Sequence, residues 1–333
     1  MIDLHLHLDG SLSIEDFLYL SKKQKINLGE DFPNNIYVPA DCPSLEDYLK
    51  RFALPCELLQ TKESLQYVTK SLVIRLYNAG FIYAEIRFAP LLHTQKGLTQ
   101  MEVTLAALKG LEEGLKNCPG FDANLILCCM RHADEATNME TIEVAKELKG
   151  TKVVAVDLAG AEKLHPSSYY SHIFQKAKEY RLNITIHAGE ATGSDEIMMA
   201  IDNGAMRIGH GVHLSLDTQT VKRVKDNTIC FEFCPTSNLQ TKSLKTYEDV
   251  PLKKFMELGI PVTINSDNMT VSNTDVPKEM KHMVDTFQLK KEDIKKLLLT
   301  SIEFAFIKEK EKEQLRKKLA LKIDEFYERL LKR

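Results

Sequence analysis

Short runs of β-branched and apolar residues recur along the chain, and each is followed by a longer stretch whose apolar positions return at helical spacing. Eight runs carry this signature: 2–7 (IDLHLH), 82–88 (IYAEIRF), 124–131 (NLILCCMR), 153–158 (VVAVDL), 184–188 (ITIHA), 206–210 (MRIGH), 229–233 (ICFEF) and 262–266 (VTINS). The stretches at 63–79, 99–116, 137–149, 168–181, 194–203, 216–226, 251–258 and 275–287 predict helices. Gly80, Gly204 and Gly259 sit near three of their C-terminal ends, where a left-handed residue is favoured. Strand-then-helix repetition is the pattern of a parallel sheet, and eight units predict its closure into an α/β (β/α)8, or TIM, barrel.

Two segments break the repeat. More than fifty residues separate the first run from the helix at 63, with amphipathic pieces at 14–24 and 44–59. This helical insertion, 13–62, follows strand one at the end of the barrel where active sites are built, and reads as a pocket wall or lid. Its Leu49, Phe52 and Leu54 either line that pocket or pack the insertion on the barrel. The tail 289–333 mixes Lys and Glu (KKEDIKK, KEKEKEQLRKK) over an apolar stripe, the pattern of solvated helices. No internal repeat, low-complexity tract or Gly/Ser linker appears, so one domain over 1–333 is expected.

Composition narrows the partners. With 44% hydrophobic and 27% charged residues the chain has ample material for a large core. A formal charge of -3 and a pI near 6.4 give no broad positive field, so nucleic acid and anionic membrane are poor partners and a small neutral substrate fits better. Seven cysteines, two of them adjacent (Cys128 and Cys129) and none in a CxxC pair, point to reduced thiols. The opening MIDLHLHLDG has neither a basic nor an apolar leader region, and no stretch of about 18 uninterrupted apolar residues follows. A cytoplasmic protein is expected.

The chemistry gathers at the ends of the runs. His5 and His7 alternate on one strand, so both imidazoles face the same side, into the barrel mouth. Alone, such a pair is an ordinary packed or exposed feature. However, His187 ends run five, His210 ends run six and Asp267 follows run eight, which collects ligand-type residues where barrel enzymes keep their sites. Three neutral imidazoles and a carboxylate suit zinc and leave a position for water, whose pKa the metal lowers to about 7. Iron, cobalt or manganese accept similar ligands. One ion is expected, since run four ends without a Lys to be carbamylated into a bridge. Glu190, in HAGE, is a general-acid candidate, although a glutamate at a helix N-terminus is also favoured by the dipole alone. His210 is flanked by Gly209 and Gly211, which permit close backbone approach; its plain alternative is a packed core histidine. His93, His165, His172, His213 and His282 read as structural or surface, and His132, after run three, admits either role.

HLHLDGSL, EIRFAP, CCMRHADE, VDLAG, HAGE, GHGVH, CPTSN and SDN occur in the order and approximate spacing of the adenosine deaminases, from residue 5 to about 310, and the chain resembles that family. The resemblance implies zinc-dependent hydrolysis of adenosine and 2′-deoxyadenosine to inosine and 2′-deoxyinosine plus ammonia, a purine salvage reaction. By it His5, His7, His187 and Asp267 are the metal ligands, Glu190 donates a proton to purine N1, and His210 and Asp267 steer the attacking hydroxide towards C6. Gly160 offers its N–H to N3, Asp9 binds the ribose 5′-hydroxyl, and His7 and Asn268 also face the substrate. Asp9 favours a nucleoside, because related adenine deaminases tend to carry Glu there. Residue 268 departs from the commoner Asp, which puts its N7 contact in question.

Three other readings compete. A cytidine-type deaminase needs HxE and PCxxC motifs, and the chain has neither. Deaminases of adenine, N6-methyl-AMP or a modified nucleoside are the nearest rivals. A metal-bearing protein without catalysis has no use for Glu190 and His210.

Overall fold

The computed structural model describes residues 1–39 and 42–332; Ala40 and Asp41 of the expected insertion and Arg333 of the expected tail lie outside the described residues. Eight parallel strands run in sequence order around a nearly closed barrel: β1 (Ile2–His7), β2 (Tyr83–Phe88), β3 (Asp122–Met130), β4 (Val153–Ala159), β5 (Asn183–Ala188), β6 (Arg207–His210), β7 (Cys230–Phe233) and β8 (Val262–Ile264). This is the (β/α)8 barrel expected from the periodicity. β8 ends two residues short of its apolar run, where Asn265 and Ser266 instead bond through their side chains to the adjacent β1. Asn265 Oδ1 accepts the Leu4 N–H at 3.0 Å, and Ser266 Oγ bonds Asp3. Beyond them the ring closes through residue 267: the His7 N–H donates to Asp267 O at 2.7 Å and the Asp267 N–H to His5 O at 2.9 Å.

The strands are buried on both faces, as a parallel sheet under a coat of helices must be. On β1, Leu4 and Leu6 face the helices while Asp3 and His5 face the bore, which follows from the period of two. The bore is polar, and its charges are paired. Arg87 Nη1 lies 2.9 Å from Asp157 and Nη2 2.9 Å from Glu232, whereas Arg207 Nε lies 2.5 Å from Glu232 and Nη2 2.6 Å from Glu85. All five side chains are fully buried.

The tail does more than cover a surface. Its helices Lys291–Phe304 and Glu309–Leu331 dock through Ile294, Leu298, Leu315 and Leu319. The segment between them stoppers the N-terminal end of the barrel: the Phe306 N–H donates to Glu85 at 2.6 Å, Arg207 Nη1 donates to Phe304 O at 2.8 Å, and the Arg207 guanidinium lies 3.8 Å from the Phe306 ring centroid. The insertion forms the helix Ile14–Gln24, capped by Ser13 with Asp16, and the broken series Leu45–Leu49, Lys50–Phe52 and Ala53–Leu58. Leu49 and Phe52 line the cavity at the barrel mouth, whereas Leu54 packs on the main core. Both readings of these residues therefore hold, each for different side chains.

The helix Pro235–Gln240, which begins in the CPTSN motif, lies outside the predicted elements. Glu279, on the helix Val276–Phe287, holds its first turn by accepting the Thr236 N–H at 3.0 Å, and also bonds the Thr274 hydroxyl. Burial pushes the Glu279 carboxyl from its ordinary 4.5 up to about 7, although both Thr contacts favour the charged form. The folded state thus binds this proton more tightly than the unfolded chain. The associated stability, on the order of 3 kcal/mol, is fully present below pH 4.5 and is lost as pH rises through about 7. Glu279→Gln can accept from Thr236 and donate to Thr274 without titrating, so its Tm should fall less than the parent's between about pH 5.5 and 8. Parallel Tm curves for the two proteins in scanning fluorimetry would reject this.

Candidate metal and active site

The ring closure places the ligand-type side chains. Nε2 of His5 and of His7 lie 3.5 and 3.4 Å from Asp267 Oδ1, and His7 Nε2 lies 3.3 Å from His187 Nε2. One ligand atom from each of His5, His7, His187 and Asp267 falls within 4.8 Å of all the others. Carboxylates set two of the rings. His5 Nδ1 is 2.8 Å from Glu232, and His187 Nδ1 is 3.0 Å from Asp157, so each Nδ1–H is committed and each Nε2 lone pair turns to the cluster.

Electrostatics keeps those groups in the form a cation requires. Burial holds the His7 imidazole well below its usual range, hence neutral. Burial alone would raise Asp157 and Glu232, yet His187 and Arg87 pull Asp157 well below the usual carboxylate range, and Arg87 and Arg207 do the same for Glu232. The donor set fits a divalent ion on one further observation: His5 Nε2 is fully buried with no hydrogen-bond partner, which is costly for a ring nitrogen unless something binds it. A second grouping joins His5 and His210 with Cys234, but burial pushes that thiol well up, so it does not compete as a thiolate.

Glu190 and His210 stand beside the cluster. Glu190 Oε2 is 3.7 Å from His210 Nε2, and both side chains are buried. The Glu190 loop is pinned by a carboxylate absent from the expected site: Glu162 accepts the N–H groups of Gly189, Glu190 and Ala191 at 2.5, 3.1 and 2.8 Å. The Thr241 hydroxyl donates to Glu190 Oε1 at 3.1 Å, and the Asn238 amide lies 3.1 Å from His210 Nδ1. His210 and Asp267 both adopt left-handed backbone, with φ of 62° and 58°, a strain that a functional site sustains. Gly209 is required beside them, since a Cβ there would stand 2.9 Å from His5 Cε1.

A cavity of about 450 Å³ opens over these groups and takes in His7, Asp9, Gly160, His187, Glu190, His210, Asp267 and Asn268, so every expected site residue but the deeper His5 reaches it. Burial pushes the Asp9 carboxyl up to about 6, and its Oδ1 has no partner. Gly160 owes its identity to a φ of 106°, because a Cβ there would meet its nearest neighbour only at 3.4 Å. His132 lines the cavity, and so does His165, which sequence alone assigned to structure or surface. The supporting groups Asp157, Glu232, Arg87 and Glu162 carried one readable signal, a charge inside or just after an apolar run, but nothing that named their partners.

Fold and site together define a metal-dependent hydrolase on a (β/α)8 barrel. A family model described as adenosine deaminase matches residues 1–322. The adenosine deaminase of Haemophilus ducreyi is 45% identical over 325 residues, covering 95% of this chain and 94% of that protein, and that of Clostridium botulinum is 40% identical over 321 residues, with 95% and 97% covered. The chain belongs to the adenosine deaminase family. Among solved structures, an adenine deaminase from Arthrobacter aurescens shares the fold with a TM-score of 0.86 at 24% identity, covering 98% of each chain. An N6-mAMP deaminase from Arabidopsis gives 0.84 at 25%, with 95% of this chain and 96% of that one covered.

Asp157→Asn keeps the shape of the His187 partner but removes its charge, so metal affinity should fall by roughly 10- to 100-fold in chelator competition. Unchanged affinity would detach Asp157 from the metal centre.

Proposed function

We propose that this chain deaminates adenosine and 2′-deoxyadenosine hydrolytically to inosine and 2′-deoxyinosine plus ammonia, with one zinc ion held by His5, His7, His187 and Asp267. The carrying observation is the placement of Glu190 and His210, 3.7 Å apart, beside a four-ligand cluster at the floor of a largely apolar cavity. Zinc suits the nitrogen-rich donor set, and when bound it supplies the Lewis acidity that makes water nucleophilic near neutral pH.

The chain's own groups do the rest. Glu190 gives a proton to purine N1 and so draws electron density from C6. His210 and Asp267 orient the water that adds there and take up one of its protons, which leaves with the amine as ammonia when the C6–N bond breaks. The remaining hydroxyl proton is passed back to restore Glu190 as the C6 carbonyl forms. Gly160 offers its N–H to N3. Asp9, whose buried Oδ1 lacks a partner, accepts the ribose 5′-hydroxyl. Among the described residues no Lys or Arg lines the cavity, so a 5′-phosphate would meet the Asp9 carboxylate without an ammonium or guanidinium to offset it. This favours a nucleoside over the nucleotide handled by the N6-mAMP deaminase.

Insertion and tail share the barrel's hydrophobic core through Leu20, Leu58 and Leu315, which supports one catalytic domain over 1–333. All seven cysteines are free thiols, which supports a cytoplasmic setting; among the described residues no helix is long and apolar enough to cross a membrane.

A spectrophotometric panel of adenosine, 2′-deoxyadenosine, adenine, AMP and N6-methyl-AMP, run on protein of measured metal content, tests the reading. Adenosine should show the highest kcat/KM, and a higher value on adenine or a nucleotide overturns the assignment. In the same assay Glu190→Gln should lose roughly 10²-fold or more in turnover while still binding inosine, because it keeps shape but has no proton to give. Near-normal turnover would remove Glu190 from the chemistry.

A further inference from the structure

The insertion reaches into the site at one polar point. Tyr48, on the helix Leu45–Leu49, is buried, and its hydroxyl accepts a hydrogen bond from Asn268 Nδ2 at 2.8 Å. The same hydroxyl lies 2.7 Å from Ser272 Oγ. Asn268 directly follows the ligand Asp267 and is itself buried, with its Oδ1 unpartnered and set against Gly10, where a Cβ would come within 1.9 Å of it.

Barrel geometry says what Asn268 faces. It follows β8 and Glu190 follows β5, so they occupy different sides of the mouth, three strands apart. If C6 of the purine sits at the metal cluster with N1 towards Glu190, the nitrogen on the other side of C6 is N7, one bond beyond C5 and flanking the exocyclic amine on its far edge. N7 only accepts hydrogen bonds, and of the two ends of an Asn amide only the nitrogen donates. One Nδ2 hydrogen is already used by Tyr48, which leaves the second for the substrate.

We propose that Tyr48 is a positioning residue for substrate recognition: its hydroxyl, delivered by the insertion, holds the Asn268 amide so that the remaining Nδ2 hydrogen points at purine N7. The inference rests on the purine nucleoside reading above. It explains why a tyrosine hydroxyl is buried at this spot, and it couples the seating of the insertion to recognition of the five-membered ring. An ionised Asp at 268 would offer Tyr48 an acceptor but could donate nothing to N7, so the Asn and the hydroxyl act as a pair.

The test compares binding of inosine with that of 7-deazainosine, which lacks the N7 acceptor, as competitive inhibitors of adenosine turnover by the parent, Tyr48→Phe, Asn268→Leu and the double variant. Tyr48→Phe removes the hydroxyl and keeps the ring; melting curves verify that each variant is folded. The expected result is a roughly three- to tenfold rise in the inosine Ki for either single variant, with no change for 7-deazainosine and no additional loss in the double variant. Equal losses on both ligands would make Tyr48 a packing residue, and no loss, or losses that multiply in the double variant, would likewise overturn the proposal. A parent enzyme that fails to deaminate adenosine would instead defeat the functional reading itself.

Discussion

Arg87 lies between two buried carboxylates, 2.9 Å from Asp157 and 2.9 Å from Glu232, and the arrangement at the barrel mouth depends on that balance. Each carboxylate holds one histidine of the candidate cluster by its Nδ1, Asp157 for His187 and Glu232 for His5. Two anions this deep would be untenable without the guanidinium, and a lone guanidinium would be untenable without them. Removing one member of such a set leaves an uncompensated buried charge, at a cost of about 3–5 kcal/mol. The pairing continues downward through Arg207 to Glu85 and to Phe304 and Phe306 of the tail. One continuous polar column therefore joins the stopper at the bottom of the barrel to the imidazoles at the top.

This column accounts for the tautomers at the metal site. With Nδ1 of His5 and His187 occupied, their Nε2 atoms turn their lone pairs to the cluster, where a cation could accept them. Asp267 completes the set by a different route. Its backbone closes the ring between β8 and β1 through two hydrogen bonds, and the left-handed φ that this closure imposes swings its carboxylate onto the two histidines of β1. Barrel closure and ligand placement are one structural event.

Around the cluster, Glu190 and His210 are each held by partners from other segments of the chain. Glu162 binds three successive amides under Glu190, Thr241 binds its carboxyl, and Asn238 abuts His210. The insertion roofs the cavity with Leu45, Leu49 and Phe52 and sends one hydroxyl, that of Tyr48, to Asn268. An apolar roof over fixed polar groups is the arrangement in which hydrogen bonds and charges exert most leverage on a reacting ring, since little water is present to screen them.

The alternation in IDLHLH, the eight apolar runs and the polar residues at their ends were sufficient to predict the barrel, the end at which the cavity and the candidate cluster lie, and the common facing of His5 and His7. These are properties of period and position, which any stretch of chain carries within itself. Other features emerged only with folding. Nothing near Glu162 in sequence indicates that its carboxylate belongs under residues 189–191, nor does the sequence around Tyr48 point to residue 268. The charged tail reads as a solvated surface, yet the turn between its helices closes the barrel floor, and Leu54 leaves the cavity that Leu49 and Phe52 line. A buried polar group must be satisfied by whatever partner the closed fold brings within about 3 Å, and that choice depends on the closure of the whole ring, whereas the tendency to form a strand or a helix is written into the neighbouring residues.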